Sequence, residues 1–352
     1  MKPFFWIFLL VLSFSGNATR AATVALVSGE YEYASMITLP AFASYLEKEH
    51  GFETIYVERG EGEDIPGIEK VRDADLLILY IRRMTLPDKQ LDVVREFIAS
   101  GKPVLGLRTT SHAFENWKEW DPKVLGGNYH GHHKNELKTT VTVADPDSHP
   151  ILKNLDSGFV SKGSLYKVSP LSNDTSVLLL GSVALGNIPD EPVAWSRKHG
   201  DSQILYTSLG FPEDFEEAFF VGFLVNGVHW LLNLPIPQHR HQGISHFDSR
   251  KIDINAFEPL AKHHRTVALD VRTPEEFAAG HVPKAVNLNY SSPSFADEVA
   301  KLDRKRPYAV YCKSGGRSAR AAKIMKDLGF QYVYDFSGSM NAWQRAGKPL
   351  TK

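Results

Sequence analysis

Cysteine is nearly absent here: Cys312 is the only one in 352 residues. It has no partner for an internal disulfide, so it reads as a reactive thiol or the seed of an intermolecular bridge. An excess of charge of one sign is also missing. The formal net charge of −1 argues against nucleic acid or an anionic membrane as the partner. Long apolar runs are missing too: only Phe4 to Phe14 approaches one, and it is too short for an ordinary spanning helix. No internal repeat is detectable in the N-terminal half, and no paired carboxylates stand out there. What remains is an ordinary hydrophobic fraction, 43%, in a length that suggests two domains.

The N-terminus reads as a secretory signal over residues 1–22. Lys2 precedes the apolar run, and small or polar residues lead to a cut after Ala21 or Ala22. The mature protein is then expected to be exported, periplasmic or secreted, without stable membrane insertion. No cysteine lies near the cut, which argues against a lipid anchor; an uncleaved signal anchor is the alternative. Export sharpens the interest of Cys312, which can carry a persulfide or be oxidised to dead-end acids.

Cys312 heads the run Cys312-Lys313-Ser314-Gly315-Gly316-Arg317-Ser318. A strand-like stretch (Tyr308 to Tyr311) leads in and a helix-like stretch (Ser318 to Leu328) leads out. Glycines let the backbone wrap so that successive N–H groups point inward. The helix N-terminus, Lys313 and Arg317 all favour thiolate over thiol. A buried structural cysteine is the alternative, but it has no use for a Gly-Gly-Arg loop.

Four residues separate Cys312 from Arg317. This resembles the active-site loop of the rhodanese (thiosulfate sulfurtransferase) family, whose ring of amides encloses one sulfane sulfur. The related Cdc25-type phosphatases carry one residue more, and Ser318 stands where their arginine would be. Upstream, Asp270-Val-Arg272, Glu276-Phe277 and Gly280-His281-Val-Pro283, then Ala285-Val-Asn287, resemble the family signature; Lys284 departs from it. Downstream, Phe336-Ser-Gly338 to Trp343 resembles its closing segment. The resemblance implies Cys312 as nucleophile, residues 313–318 as the substrate ring, and Asp270, Arg272 and His281 as supporting residues tying the loops together. It also implies a small-molecule sulfur donor and a thiol or cyanide acceptor, with no cofactor.

In the first part, apolar strand runs (Val24–Val27, Thr54–Val57, Ala74–Tyr80, Pro103–Leu107) alternate with helical runs near 36–50 and 87–100. This pattern predicts a parallel doubly wound sheet. The turn Arg108-Thr109-Thr110-Ser111-His112 sits where a class I glutamine amidotransferase carries its nucleophile, yet holds no cysteine. A Ser111 nucleophile is conceivable, but Thr-Thr-Ser reads more simply as a helix N-cap cluster.

That turn, with Leu125-Gly-Gly-Asn-Tyr-His130-Gly-His132-His133, Ser148 to Leu155 and Thr207 to Phe215, resembles the trehalose-utilisation (ThuA-like) family over about 23–235. The likeness implies a sugar-type pocket at Arg108, Thr109 and His112, with His130 and His132 beside it. His112 is expected to be able to act as an acid or base, because an unperturbed imidazole titrates near neutrality. The histidines invite a metal reading, but adjacent His132 and His133 diverge on an extended strand, and neither Glu136 nor Asp145 is well spaced; no metal is expected. Residues 236–250, rich in Pro, Gly and His, read as a solvated linker.

The expectation is therefore an α/β chain of two domains, each a mostly parallel sheet flanked by helices. A flavodoxin/amidotransferase-like domain (23–235) precedes a rhodanese-like one (251–352). A sugar-modifying enzyme or glycan-binding protein with the second domain as accessory or sulfur sensor is the rival reading.

Overall fold

The computed structural model describes residues 20–244, 251–304, 306–330 and 332–352. The signal-peptide reading for residues 1–19, and the linker's residues 245–250, lie outside the described residues. No helix among those described is long and apolar enough to cross a membrane.

The first domain begins with β1 (Thr23–Gly29), α1 (Ser35–His50), β2 (Glu53–Glu58), β3 (Leu76–Ile81), α2 (Asp88–Ala99) and β4 (Val104–Leu107). It continues through β5 (Thr139–Val143), β6 (Gly158–Ser161), β7 (Ser176–Ser182), β8 (Glu191–His199), β9 (Ser202–Thr207) and α3 (Ala218–Leu231). The sheet order is β2-β1-β3-β4-β9-β8-β7-β5-β6. Strands β2, β1, β3, β4 and β9 run parallel, and every residue of β1, β3 and β4 is buried, as their unbroken apolar runs require. From β9 outward the pairings turn antiparallel, so the sheet is mixed. Chain length explains the change. Only Gly200 and Asp201 join β8 to β9, and a two-residue connection can close only a hairpin. Helices α1 and α3 cover one face of the sheet and α2 the other.

The second domain comprises β10 (Lys251–Ile252), α4 (Ile254–Lys262), β11 (Val267–Asp270), α5 (Pro274–Ala278), β12 (Val286–Asn287), α6 (Phe295–Ala300), β13 (Tyr308–Tyr311), α7 (Gly316–Asp327), β14 (Val333–Phe336) and α8 (Ser339–Arg345). Its sheet, ordered β10-β14-β13-β11-β12, is parallel throughout.

The domains share an apolar seam. Ala34 and Met36, from the start of α1, are buried in one cluster with Ile252, Phe257 and Phe336. The β1–α1 loop is held in shape by buried Glu30, whose carboxylate accepts N–H groups from Glu32, Tyr33 and Ser35 at 2.5–2.7 Å. From that loop Tyr31 meets His264 Nε2 at 3.0 Å and lies under Arg265, while the Tyr332 hydroxyl donates to the Glu32 carbonyl. His263–Arg265 and Tyr332 precede β11 and β14. The second domain thus docks by the amino ends of its strands onto the carboxyl end of the first sheet.

Candidate active site

Cys312 follows β13 directly, at the carboxyl end of the second sheet, where open α/β sheets place their sites. It is 1% exposed, with the apolar cluster of Leu269, Val271 and Ala321 behind it. In front, the loop turns its polar groups toward the sulfur. The Gly315 N–H donates to Sγ at 3.1 Å, and the Ser339 hydroxyl stands 3.7 Å away. Burial pushes the thiol pKa up. The N–H and hydroxyl of Ser318, the N–H of Ser314 and the Ser339 hydroxyl outweigh it, holding the thiol below its ordinary value.

Gly315 makes the close wrap feasible. It sits at φ +100°, and a Cβ there would stand 2.4 Å from the Ser337 carbonyl oxygen. Gly316 opens α7 and faces open space. Lys313 is exposed at the rim, and Ser318 donates from its buried hydroxyl back to the Gly315 carbonyl at 3.1 Å.

Arg317 does not reach freely across the ring. Its guanidinium grips Glu276 bidentately at 2.6 and 2.9 Å, the two side chains being 22% and 29% exposed. The Arg317 hydrogen bonds pull Glu276 down to about 2. Glu276 is itself fixed as the fourth member of a capping box begun by Thr273. Sequence reading saw Glu276 only as part of a signature. The capping spacing Thr273-x-x-Glu276 was visible, but its ion pair with a residue 41 positions away was not.

Asp270, Arg272 and His281 tie loops together at some remove from the thiol. Asp270 and Arg272, 0% and 7% exposed at the side chain, form a buried pair at 2.6 Å, and Arg272 also donates to the Gly280 carbonyl. His281 stacks on Phe277 at 3.7 Å and contacts the Phe277 carbonyl through Nδ1 at 3.0 Å. Ser339, a neighbour missed from sequence, takes the Cys312 N–H at 3.1 Å from a left-handed conformation, φ +48°.

In the first domain the turn after β4 keeps the strained shape of an elbow. Arg108 has φ +41° and is 1% exposed. Its guanidinium lies 4.2 Å from the Tyr33 ring centre and 5.0 Å from that of Tyr166, and donates to the Ser208 carbonyl at 3.0 Å. The Thr-Thr-Ser run is no N-cap: Thr109, Thr110 and Ser111 lie inside a short helical turn, Arg108–His112, capped by Leu107. Thr109 is buried, and the Thr110 hydroxyl donates to the Leu79 carbonyl.

His112 stacks on Tyr129 at 4.3 Å with Ser111 Oγ 3.1 Å from its Nδ1. Burial first, then the charges of Arg82, Arg83 and Arg108, lower it to about 3. Near pH 7 it is then a neutral imidazole, scarce as a charged proton donor and weak as a base, which argues against the acid–base role expected for it. His130 and His132 are exposed, and among the described residues neither belongs to a group with metal-ligand spacing. The described part of the linker is solvated only in part: Gln238, His239, Arg240 and Gln242 are exposed, but not every residue is. His241 and Ile244 are buried against the first domain, because the Ile244 N–H pairs with the Phe215 carbonyl and draws the chain in.

Above the elbow lie two adjoining cavities of about 480 and 260 Å³. Tyr31, Arg82 and Arg108 line them from the first domain, and Arg265 and Tyr332 from the second. The second domain thus walls the mouth of the first. Its own thiol loop, following β13, faces away from that mouth.

A family model described as "Trehalose utilisation" matches residues 23–231, more than half of the chain. The chain belongs to the ThuA family. A "Rhodanese-like domain" model matches residues 256–346. Thiosulfate sulfurtransferase 16 (chloroplastic) of Arabidopsis thaliana is 37% identical over 104 residues, 27% of this chain and 85% of that protein. Thiosulfate sulfurtransferase GlpE of Vibrio cholerae serotype O1 is 32% identical over 99 residues, 28% of this chain and 92% of that protein. A ThuA-like protein of Bacteroides uniformis has a crystal structure that aligns at 21% identity, TM-score 0.49, over 62% of this chain and 95% of that one. The ThuA-family protein therefore also carries a domain of the rhodanese family, and that family supports sulfurtransferase-type activity for it in general terms.

Proposed function

We propose that the rhodanese-like domain moves sulfane sulfur from a thiosulfate-like donor to a thiophilic acceptor through a persulfide on Cys312. One observation carries the reading: a thiol held below its ordinary pKa accepts an N–H at 3.1 Å inside the loop of residues 313–318. The Cys312 thiolate attacks the outer sulfur of the donor. The donor's S–S bond breaks and its electron pair leaves on sulfite. The persulfide rests against the N–H groups of residues 314–318 until cyanide or a thiolate bonds to the outer sulfur and regenerates the Cys312 thiolate. Arg317 and Lys313 supply positive charge at the rim for the anionic donor, Arg317 with its charge shared by Glu276.

The first domain is read as a binding module for a small polar ligand such as a sugar, held in the cavity of about 260 Å³ that Arg108 lines; His112 lines a separate cavity with Tyr129. An arginine stands at the elbow where a nucleophile would be, which favours binding over covalent catalysis. Export to the periplasm or exterior, without stable membrane insertion, completes the reading and rests on residues 1–22.

Mass spectrometry of the intact protein after thiosulfate tests the main claim. Gain of one sulfur on Cys312, discharged by cyanide and absent in Cys312→Ser, is expected; an unmodified cysteine refutes it. Steady hydrolysis of aryl phosphates would point to a phosphatase instead. Turnover of sugars that is lost in Arg108→Met would favour the sugar-modifying alternative.

A further inference from the structure

Among the described residues, one group of side chains has donor atoms at metal-ligand spacing: His50, His239 and His241, whose ring nitrogens lie within 4.8 Å of one another. They converge from distant parts of the chain. His50 is the last residue of α1, while His239 and His241 lie on the connector that follows α3. On that connector both histidines turn their rings toward His50, although one residue separates them. Arg240, between them, points outward to Asp156 at 3.0 Å. This is the spacing that adjacent His132 and His133 lack.

The ring nitrogens are also unused. His241 is 7% exposed, yet neither of its ring nitrogens has a hydrogen-bond partner among the described residues, and His50 Nε2 has none. Buried polar atoms left in that state are unfavourable unless something binds them. His229 adjoins the group, edge-on to His50 at 5.4 Å. Its Nδ1 is 2.8 Å from the Pro235 carbonyl, and its Nε2 likewise has no partner. Phe52 and Tyr45 stack around His50 and make the surroundings apolar.

We propose that His50, His239 and His241 form a binding site for a late first-row transition-metal dication, zinc or copper. Three imidazoles with no carboxylate among them suit those ions and not calcium or magnesium, which want oxygen. The rings close to the roughly 3.3 Å donor separation set by metal–nitrogen bonds of about 2.0–2.1 Å in a tetrahedral site. The fourth position is left to water or to His229. Bound metal staples the end of α1 to the connector between the domains, and the Cys312 site takes no part.

The test uses the full, tag-free chain, stripped with chelator and then loaded separately with Zn²⁺, Cu²⁺, Mg²⁺ or Ca²⁺. Elemental analysis after gel filtration should find one equivalent of zinc or copper and none of the other two. Cobalt(II) should give the intense visible bands of a tetrahedral site. His241→Gln and His239→Gln should each weaken binding by at least about tenfold, the lower end of what even outer-shell losses produce. The His239 ring is exposed, so that variant keeps its fold. Sulfur loading of Cys312 should be unchanged in both. No retained metal, or retention unchanged in His239→Gln and His241→Gln but lost in a His130→Gln, His132→Gln double variant, overturns the proposal.

Discussion

Gly315 and Gly316 are neighbours that should respond oppositely to one added methyl group. At Gly315 the methyl would stand 2.4 Å from the Ser337 carbonyl oxygen, a backbone atom with no flexible end to yield, and φ is +100°. Strain in that conformation costs about 1–3 kcal/mol, and overpacking a further ~1–3, so Gly315→Ala should lose roughly 2–6 kcal/mol. For a domain of this size each kcal/mol moves Tm by about 4–8 °C, so its unfolding should fall by at least about 8 °C. The chemistry should suffer as well, because the displaced N–H donates to Sγ at 3.1 Å. A hydrogen bond to a charged group is worth about 1.5–3 kcal/mol, which slows sulfur loading roughly 10–150-fold. Gly316 has nothing within 4 Å of its would-be Cβ and begins a helix that alanine favours. Calorimetry of the full chain, with sulfur loading timed by mass spectrometry, compares the two variants. A Gly315→Ala protein unchanged in both respects would refute the reasoning, as would a Gly316→Ala protein equally damaged.

The Cys312 thiol is held below its ordinary value, so alkylation by iodoacetamide should rise with pH along a curve displaced to lower pH than that of a free thiol; a curve at or above the free-thiol position contradicts the loop assignment. Glu276 is lowered from an ordinary 4.5 to about 2. A depressed carboxyl contributes stability that is present above pH 4.5 and lost as pH falls toward 2. Glu276→Gln should flatten the acid dependence of the second domain in that window while costing about 1 kcal/mol or less near neutrality, because the pair is partly exposed. Asp270→Asn strands Arg272 in the interior and should destabilise by about 3–5 kcal/mol, seen in urea titrations; a change under 1 kcal/mol would mean that water or another acceptor replaces it. His112, at about 3, should show no imidazole titration by NMR between pH 5 and 8; a midpoint near 6.5 would mean that its environment is more open than it stands here.

Much of the thiol site was legible because it is local. The strand, the count from Cys312 to Arg317 and the following helix occupy one continuous stretch, and ring size follows from residue number alone. The first strands and helices were legible for a similar reason, since unbroken apolar runs and helical spacing read out burial. The antiparallel half of the first sheet was harder to see. A strand such as β5, Thr-Thr-Val-Thr-Val, buries only alternate residues, and nothing in that pattern names its partner strand.

Chain order alone thus made the two family modules legible, with the lone thiol and the loop that follows it, since those lie within continuous stretches of chain. Tertiary structure decided the rest. It turned Arg317 onto Glu276, placed the second domain over the mouth of the first, and drew His50 beside His241. Each of these joins residues dozens to hundreds of positions apart, and which distant surfaces meet depends on shape and burial across the whole molecule.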